Sequence, residues 1–368
     1  MDQEKPRASC RYRRSPGLVI YWDHGQLAGY RWPAGAAVAL TPESVAILDR
    51  IPDWTSAGDL RDRLTPGGDI ADSESLLVLL CSLGLVDRED DAATNAEWME
   101  WSPAAAFFHF STKNGRFPED LDQRDRELVE KAAHHPQPAP TKRVEGSRTP
   151  LINGVPIDCT LHAALIERRT WRRFSEQPVP AGALATLLDR TFKVQARGRV
   201  AGQGDVVVKT SPSGGSRHPI EAYLLAWNVD GLRPGAYHYD SATHELVDLR
   251  RSVSAADIPD LLAHQRYFAG AGAAVIMCPV FARTMWRYGH SRAYRTVLID
   301  AGHLGQTFCL VATALGLAPF TTMAFIESKL EALLRLDGVL ECPIYVAGVG
   351  MPDAGAIGHP GRWRAVRG

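Results

Sequence analysis

Four arginines fall within six positions in Arg168-Arg169-Thr170-Trp171-Arg172-Arg173-Phe174. A guanidinium is a fixed fork of donors that matches phosphate oxygens, and a hydroxyl among such forks adds one more donor. A helical stretch beginning near Leu161 runs into this segment, so helical spacing predicts Arg168 and Arg172 on one face with Thr170 close by. Phosphate binding is one chemistry this suits; a basic helix end facing its own dipole is the other.

A second segment, Ser211-Pro212-Ser213-Gly214-Gly215-Ser216-Arg217-His218-Pro219, lies between two strand-like runs. Paired glycines let backbone amides approach a flat ligand closely, and the serines supply donors. A plain connecting loop also uses glycine and serine, but Arg217 and His218 are more than a turn needs. A third segment follows an apolar strand: Trp286-Arg287-Tyr288-Gly289-His290, then Arg292, Tyr294-Arg295 and Asp300-Ala301-Gly302-His303. Arg287 and Tyr288 are candidates for electrostatic and acid–base work. Asp300 and His303 share a helical face, where a structural contact is as good a reading as a functional one. Gly270-Ala271-Gly272 precedes a strand instead of following one, so it is not a dinucleotide fingerprint.

The elements that must position these residues fall into three parts. Residues 1–90 read as β-like pieces at Gly17–Trp22 and Ala36–Leu40, then three helices opening at Thr41-Pro42, Thr55-Ser56 and Ser73, then a wing strand at Leu85-Val86-Asp87. That order is winged-helix-like, and its few basic residues (Arg50, Arg61, Arg63) suit peptide binding or dimerisation better than DNA reading. Residues 91–150 form a connector with an aromatic patch (Trp98, Trp101, Phe107, Phe108, Phe110) expected to pack on a neighbour, ending in His134-His135-Pro136-Gln137-Pro138. Residues 151–368 form one α+β domain. Its expected helices lie near 159–169, 180–195 and 254–265, with a short one at Glu327–Leu336. Its expected strands lie at 205–211, 220–228, around Tyr237 and Leu246, at Ala273–Phe281 and at Ile344–Val349. A long helix from about Arg292 to Leu315 reaches more than 30 Å.

The bulk composition narrows the function classes. A formal net charge of −1 gives no global pull toward nucleic acid or anionic membrane. No apolar run reaches the roughly 20 residues that span a bilayer, and the charged start MDQEKPRASCRYRR has no hydrophobic signal region. Six cysteines without a C-x-x-C pair read as reduced thiols, with neither zinc site nor disulfide framework. A cytoplasmic protein without a metal centre is expected.

Taken in order, the segments resemble the nitroreductase-like FMN flavoproteins, and within them the SagB-type dehydrogenases of peptide maturation, over about residues 150–355. The family's Arg-Arg-Ser-x-Arg-x-Phe motif is matched at Arg168–Phe174. Its Ser-Pro-Ser-x-Gly before Pro-Ile-Glu-x-Tyr is matched at Ser211–Gly215 and Pro219–Tyr223. The stretches Gly235–Asp240 and Asp300–His303 are also typical of it. The resemblance implies an FMN-dependent nitroreductase fold, a central mixed sheet with a long core helix, preceded by the small winged-helix-like domain as a peptide clamp. It implies that Arg168, Arg169, Thr170 and Arg172 hold the FMN phosphate and that Ser213, Gly214 and Gly215 line the isoalloxazine. The long helix would form the core of a homodimer with each flavin at the subunit interface. The implied reaction is two-electron oxidation of a residue in a ribosomally made precursor peptide, azoline to azole or Cα–Cβ desaturation. A cyclodehydratase or other maturation enzyme is the implied partner. Azoline oxidases of this group carry a Lys-Tyr pair where this chain has Arg287-Tyr288. Arginine stays protonated, so Tyr288 is the better acid–base candidate, and Arg217 and His218 become candidate substrate contacts. Two alternatives stay open: an NAD(P)H-dependent nitro or quinone reductase on the same fold, and a catalytically silent peptide-binding subunit.

Overall fold

The computed structural model describes residues 10–33, 37–64, 70–91, 98, 100–115, 117, 119–151, 154–353 and 355. Expectations at 1–9, at Ala36, at 92–97 and beyond 355 lie outside the described residues. Contacts divide the chain into two compact units, Met1–Phe117 and Pro118–Gly368.

In the first unit the strands are β1 (Arg11–Arg14), β2 (Leu18–Asp23), β3 (Gln26–Arg31), β4 (Ala37–Ala39), β5 (Thr55–Ser56) and β6 (Val86–Arg88). Its helices are α1 (Pro42–Asp49), α2 (Ala57–Leu64), α3 (Ile70–Ser82) and α4 (Ser102–Ser111). Thr41 Oγ1 accepts the Ser44 amide at 3.2 Å and Pro42 takes the first turn, so α1 starts where capping chemistry puts it. Leu48, Ile51, Leu60, Leu77, Leu80 and Leu85 form one core with the β5-β1-β6 sheet. β6 is a strand where one was expected, at Leu85-Val86-Asp87. The aromatic patch differs from expectation, since it is not part of a connector between units. Phe110 stacks on Trp32 at 5.7 Å and Phe107 meets Tyr21 at 5.3 Å and Tyr30 at 5.4 Å, so α4 completes the first unit over the β2-β3-β4 sheet.

The second unit opens with α5 (Leu121–His134), whose charged sequence reads as connector, and β7 (Arg148–Pro150). Then come α6 (Leu161–Glu167), α7 (Ala181–Phe192), the hairpin β8 (Ala196–Val200) and β9 (Gly204–Val208), β10 (Ile220–Ala226), β11 (Gly235–Asp240) and β12 (Glu245–Asp248). The remainder is α8 (Ile258–Leu261), β13 (Ala273–Pro279), α9 (Phe281–Arg287), α10 (Ala293–Ala314), β14 (Ala318–Thr322), α11 (Glu327–Leu334) and β15 (Tyr345–Gly350). Seven strands form one antiparallel sheet in the order β14-β15-β13-β10-β11-β12-β7.

β10 and β13 lie at its centre and every residue of both is buried. Alternation along them builds two cores. Ala222, Leu224, Val275 and Met277 face α7 and α10 on one side. Tyr223, Leu225, Ile276 and Cys278 pack with Phe268, Phe320 and Leu330 on the other. By length and composition α10 could cross a membrane. Here Val297, Leu304 and Phe308 seat it in the core instead. Gly305 lets it approach β15, since a Cβ there would stand 2.4 Å from the Tyr345 ring.

Phe308 is 1% exposed and its ring lies 6.4 Å from that of Phe192 on α7. Phe308→Ala should cost roughly 3–5 kcal/mol, as emptied aromatic core positions do. The check is a lower urea midpoint with an unchanged slope.

Candidate functional site

Thr160 Oγ1 caps α6 by accepting the Ala163 amide at 3.1 Å, and the helix ends at Glu167. Arg168, at φ −52 and ψ 124, is already outside it. The expected pairing of Arg168 and Arg172 on one helical face therefore does not form. The reason is the edge that this segment joins: the Trp171 amide donates to Pro319 O and the Ser175 amide to Met351 O, both at 2.9 Å. Phe174 bridges Pro352. In this non-helical run Arg169, Thr170, Arg172 and Arg173 are exposed. Arg169 folds back on the carbonyls of Ile166 and Arg168 (2.6 and 2.7 Å), Arg172 lies over the Tyr267 ring at 5.9 Å, and Arg173 pairs with Asp353 at 3.2 Å. The charge of Arg168 opposes the burial that lifts the thiol of Cys309 on α10 to about 11.

The Ser-Gly-Gly loop is fastened along the same helix. Ser213 Oγ donates to Asp300 Oδ2 at 2.5 Å, the Gly214 amide donates to Asp300 Oδ1 at 3.2 Å, and the His218 amide donates to Ser213 Oγ at 2.8 Å. His303 Nδ1 lies 3.3 Å from Pro212 O, and the Ser211 and Thr307 hydroxyls are 2.7 Å apart. Asp300 and His303, three apart on one face, thus both hold the loop. Burial raises the Asp300 pKa against the two hydrogen bonds it accepts.

Both glycines are required by space. A Cβ on Gly214 would sit 2.2 Å from Thr296 Cγ2. One on Gly215 (φ 59) would sit 2.4 Å from Arg287 Cδ and 2.7 Å from Tyr288 Oη. The loop's second glycine is therefore in direct reach of the Arg287-Tyr288 pair.

Arg217 and His218, expected as substrate contacts, lie inside the fold at 7% and 9% exposure. Arg217 Nε donates to Gly215 O at 2.8 Å, its Nη1 donates to Gln137 Oε1, and its guanidinium lies 5.8 Å over the Trp286 ring. Burial, then Lys209, Arg217 and Arg283, push the His218 pKa down to about 4. Arg287 Nη1 donates to Gln203 Oε1 at 2.9 Å. The half-buried Tyr288 borders a cavity of 340 Å³ shared with Phe281, Met285, His290 and Tyr294.

Beneath the pair lies a charged cluster that the motifs did not announce. Arg283 on α9 bonds Glu221 Oε1 at 2.6 Å, and its Nε and Nη1 donate to Ala139 O (2.8 Å) and His218 O (3.2 Å). His238 Nε2 meets Glu221 Oε2 at 3.0 Å, and the Lys142 amide donates to Oε1 at 3.1 Å. Burial alone would raise the Glu221 pKa, but His238, Arg283 and Lys209 outweigh it and hold the group at about 2. Burial brings the Lys209 amine down to about 8. The signal in the sequence was a glutamate inside the apolar strand Ile220–Ala226.

The Nitroreductase family model matches residues 165–351, just over half of the chain, a span that holds Arg168–Phe174, the Ser-Gly-Gly loop and the Arg287-Tyr288 pair. The chain belongs to the nitroreductase family. That family is one of oxidoreductases, and its members typically bind flavin. Among curated relatives, the Methanocaldococcus jannaschii protein MJ1384, provisionally named a nitroreductase, is 28% identical over 52% of this chain and 90% of its own length. The trifolitoxin-processing protein TfxB of Rhizobium leguminosarum bv. trifolii is 34% identical over 38% of each chain. The microcin B17-processing protein McbC of Escherichia coli is 29% identical over 37% of this chain and 51% of its own. The alignment spans about half or less of the two processing proteins.

The buried His218 gives this nitroreductase-family site a pH signature. An unfolded histidine takes its proton near 6.5, whereas the folded one resists until about 4. Between these values the unfolded state binds more protons, so stability falls as pH drops through that window. His218→Asn, which tolerates the observed φ of 42, should flatten this part of the urea-midpoint profile between pH 6.5 and 4.

Proposed function

We propose that this chain is an FMN-dependent dehydrogenase that removes two electrons and two protons from a residue of a ribosomally made precursor peptide. The product is an azole from an azoline or a Cα–Cβ double bond. The observation that carries the reading is the close approach of Gly215 to Arg287 and Tyr288, which sets a phenol and a cation against the Ser-Gly-Gly loop. The processing proteins among its relatives support a peptide as substrate. Six free cysteines suit a reducing cytoplasm.

The residues present fit a flavin. Arg168, Arg169, Thr170 and Arg172 offer guanidinium and hydroxyl donors for its phosphate. Ser213, Gly214 and Gly215 offer a wall whose glycines leave no room for a side chain of their own. When bound, FMN supplies the two-electron acceptor, with oxygen as the oxidant that restores it. Tyr288 Oη holds the proton that moves at the substrate. Arg287, fixed by Gln203, stays charged and stabilises negative charge developing on the substrate. Arg217 and His218 position the loop from below.

A homodimer belongs to this reading. Tyr294, Leu298 and Ile299 on α10 and Leu161, Leu165 and Ile166 on α6 are exposed large apolar side chains. Helix faces of this kind call for a covering partner, and a second copy supplies the same stripe in return. A cyclodehydratase or other maturation enzyme would act on the peptide beforehand where the substrate is an azoline.

Tyr288→Phe should lower product formation by roughly 10²–10⁴-fold, the usual range for a lost acid–base group, with flavin content unchanged. The assay is mass spectrometry of the precursor peptide, looking for loss of two hydrogens. Full activity of the Phe variant contradicts the assignment of Tyr288. Rapid bleaching of bound flavin by NADPH, without any change in the peptide, contradicts the peptide dehydrogenase.

A further inference from the structure

A cleft of 750 Å³ opens on the side of the sheet that carries Tyr223, Leu249 and Leu334. It shares no lining residue with the cavity beside Tyr288. Its walls come from three separate segments, 142–146, 248–250 and 334–335, and from Tyr223 on β10.

Two of its charged groups are already neutralised. Lys142 pairs with Glu341 and Asp248 with Arg233. What is left is Arg143, Arg250 and Arg335 against Glu145. None of these four side chains makes an ion pair or a hydrogen bond among the described residues, although the Arg250 amide donates to Asp248 Oδ1 at 2.7 Å. The unpaired charge facing the cleft is therefore positive, in a chain whose formal net charge is −1.

The backbone adds an independent observation. Arg250 (φ 56) and Arg335 (φ 59) both hold left-handed conformations that glycine adopts without steric cost. Arg335 does so at the end of α11, the position where helices commonly close on glycine. Two left-handed positions in the lining of one cleft both carry an arginine that makes no ion pair among the described residues. Strain of this kind is retained where the side chain has a task.

The size of the cleft and the origin of its arginines select the ligand. A compact inorganic anion needs donors converging on one point. Here the arginines come from three separate segments around a space of 750 Å³. That suits an extended chain with several carboxylates, each met by a fork.

We propose that this cleft binds an acidic peptide segment, at a docking site separate from the redox pocket. Binding here requires no turnover and stands whether or not the dehydrogenase reading holds.

The test uses the full-length protein and a fluorescein-labelled peptide of repeating Glu-Leu-Asp-Gly, read by fluorescence anisotropy. The expected result is saturable binding at low ionic strength that weakens as salt is raised toward about 0.15 M. The combined variant Arg143→Ala, Arg250→Gly, Arg335→Gly should lose roughly tenfold or more in affinity. The glycines relieve the backbone at two of the three positions, so an unchanged circular-dichroism melt separates lost binding from lost folding. Absence of binding to the wild-type protein overturns the proposal, as does equal binding by the variant. Equal binding of a Lys-Leu-Lys-Gly repeat also overturns it. Displacement of the peptide by inorganic pyrophosphate at similar concentration identifies a small-anion site and overturns the peptide assignment.

Discussion

A carboxylate sealed inside the protein governs the rest. Glu221 is 2% exposed, and taking an ionised carboxyl out of water costs several kcal/mol unless its oxygens are fully engaged. Arg283, His238 and the Lys142 amide engage them. Because Arg283 belongs to α9, meeting that requirement fixes the helix whose last residue is Arg287 and whose cap is Tyr288. The same guanidinium takes the carbonyls of Ala139 and His218. One buried charge thus aligns α9, the Ser-Gly-Gly loop and the segment that follows α5. That segment closes over α9 a second time, where Trp286 Nε1 donates to His135 O at 2.7 Å.

A second carboxylate does the corresponding work on α10. Asp300 accepts from Ser213 and Gly214, so the loop cannot lift from the helix without leaving a buried acceptor unpaired. The two carboxylates hold the two halves of the Gly215–Tyr288 contact from different elements. Among the phosphate-binding candidates, Arg168 stands elsewhere, close enough to the later turns of α10 to act on Cys309. From Asp300 to Cys309 the helix rises by about 14 Å. Arg168 and the Ser-Gly-Gly loop are thus separate stations along one helix, and the exposed apolar residues Tyr294, Leu298 and Ile299 lie in its first two turns.

The parts legible in the sequence were those where local pattern and burial agree. The long helix was expected over Arg292–Leu315 and runs from Ala293 to Ala314, because an apolar run without proline has few other ways to bond its backbone. Apolar β10 and β13 were equally plain. Strand β8 was not, since all five of its residues are exposed and two are arginines. β14 was hidden because its apolar residues read as a continuation of the helix before it. α5 was lost in a charged stretch that resembles a linker. The site followed the same rule. The glycines and Tyr288 could be named from residue type, but the backbone of 168–173 was set by Pro319 and Met351, about 150 or more positions away. The burial of Arg217 and His218 depends on partners such as Gln137 and Arg283, which no local window contains.

An arginine ahead of Tyr288, where the azoline oxidases it resembles carry lysine, bears on the proton chemistry of the proposed reaction and leaves the proposed flavin site unchanged, so flavin binding is the claim on which everything else rests. It is tested most directly by titrating flavin-free full-length protein with FMN, following quenching of flavin fluorescence, beside Arg168→Ala. The account predicts saturable uptake by the wild-type chain and binding weaker by roughly tenfold or more in the variant, the loss expected for a charge-assisted phosphate contact. No uptake by the wild-type chain, or equal uptake by Arg168→Ala, would contradict it.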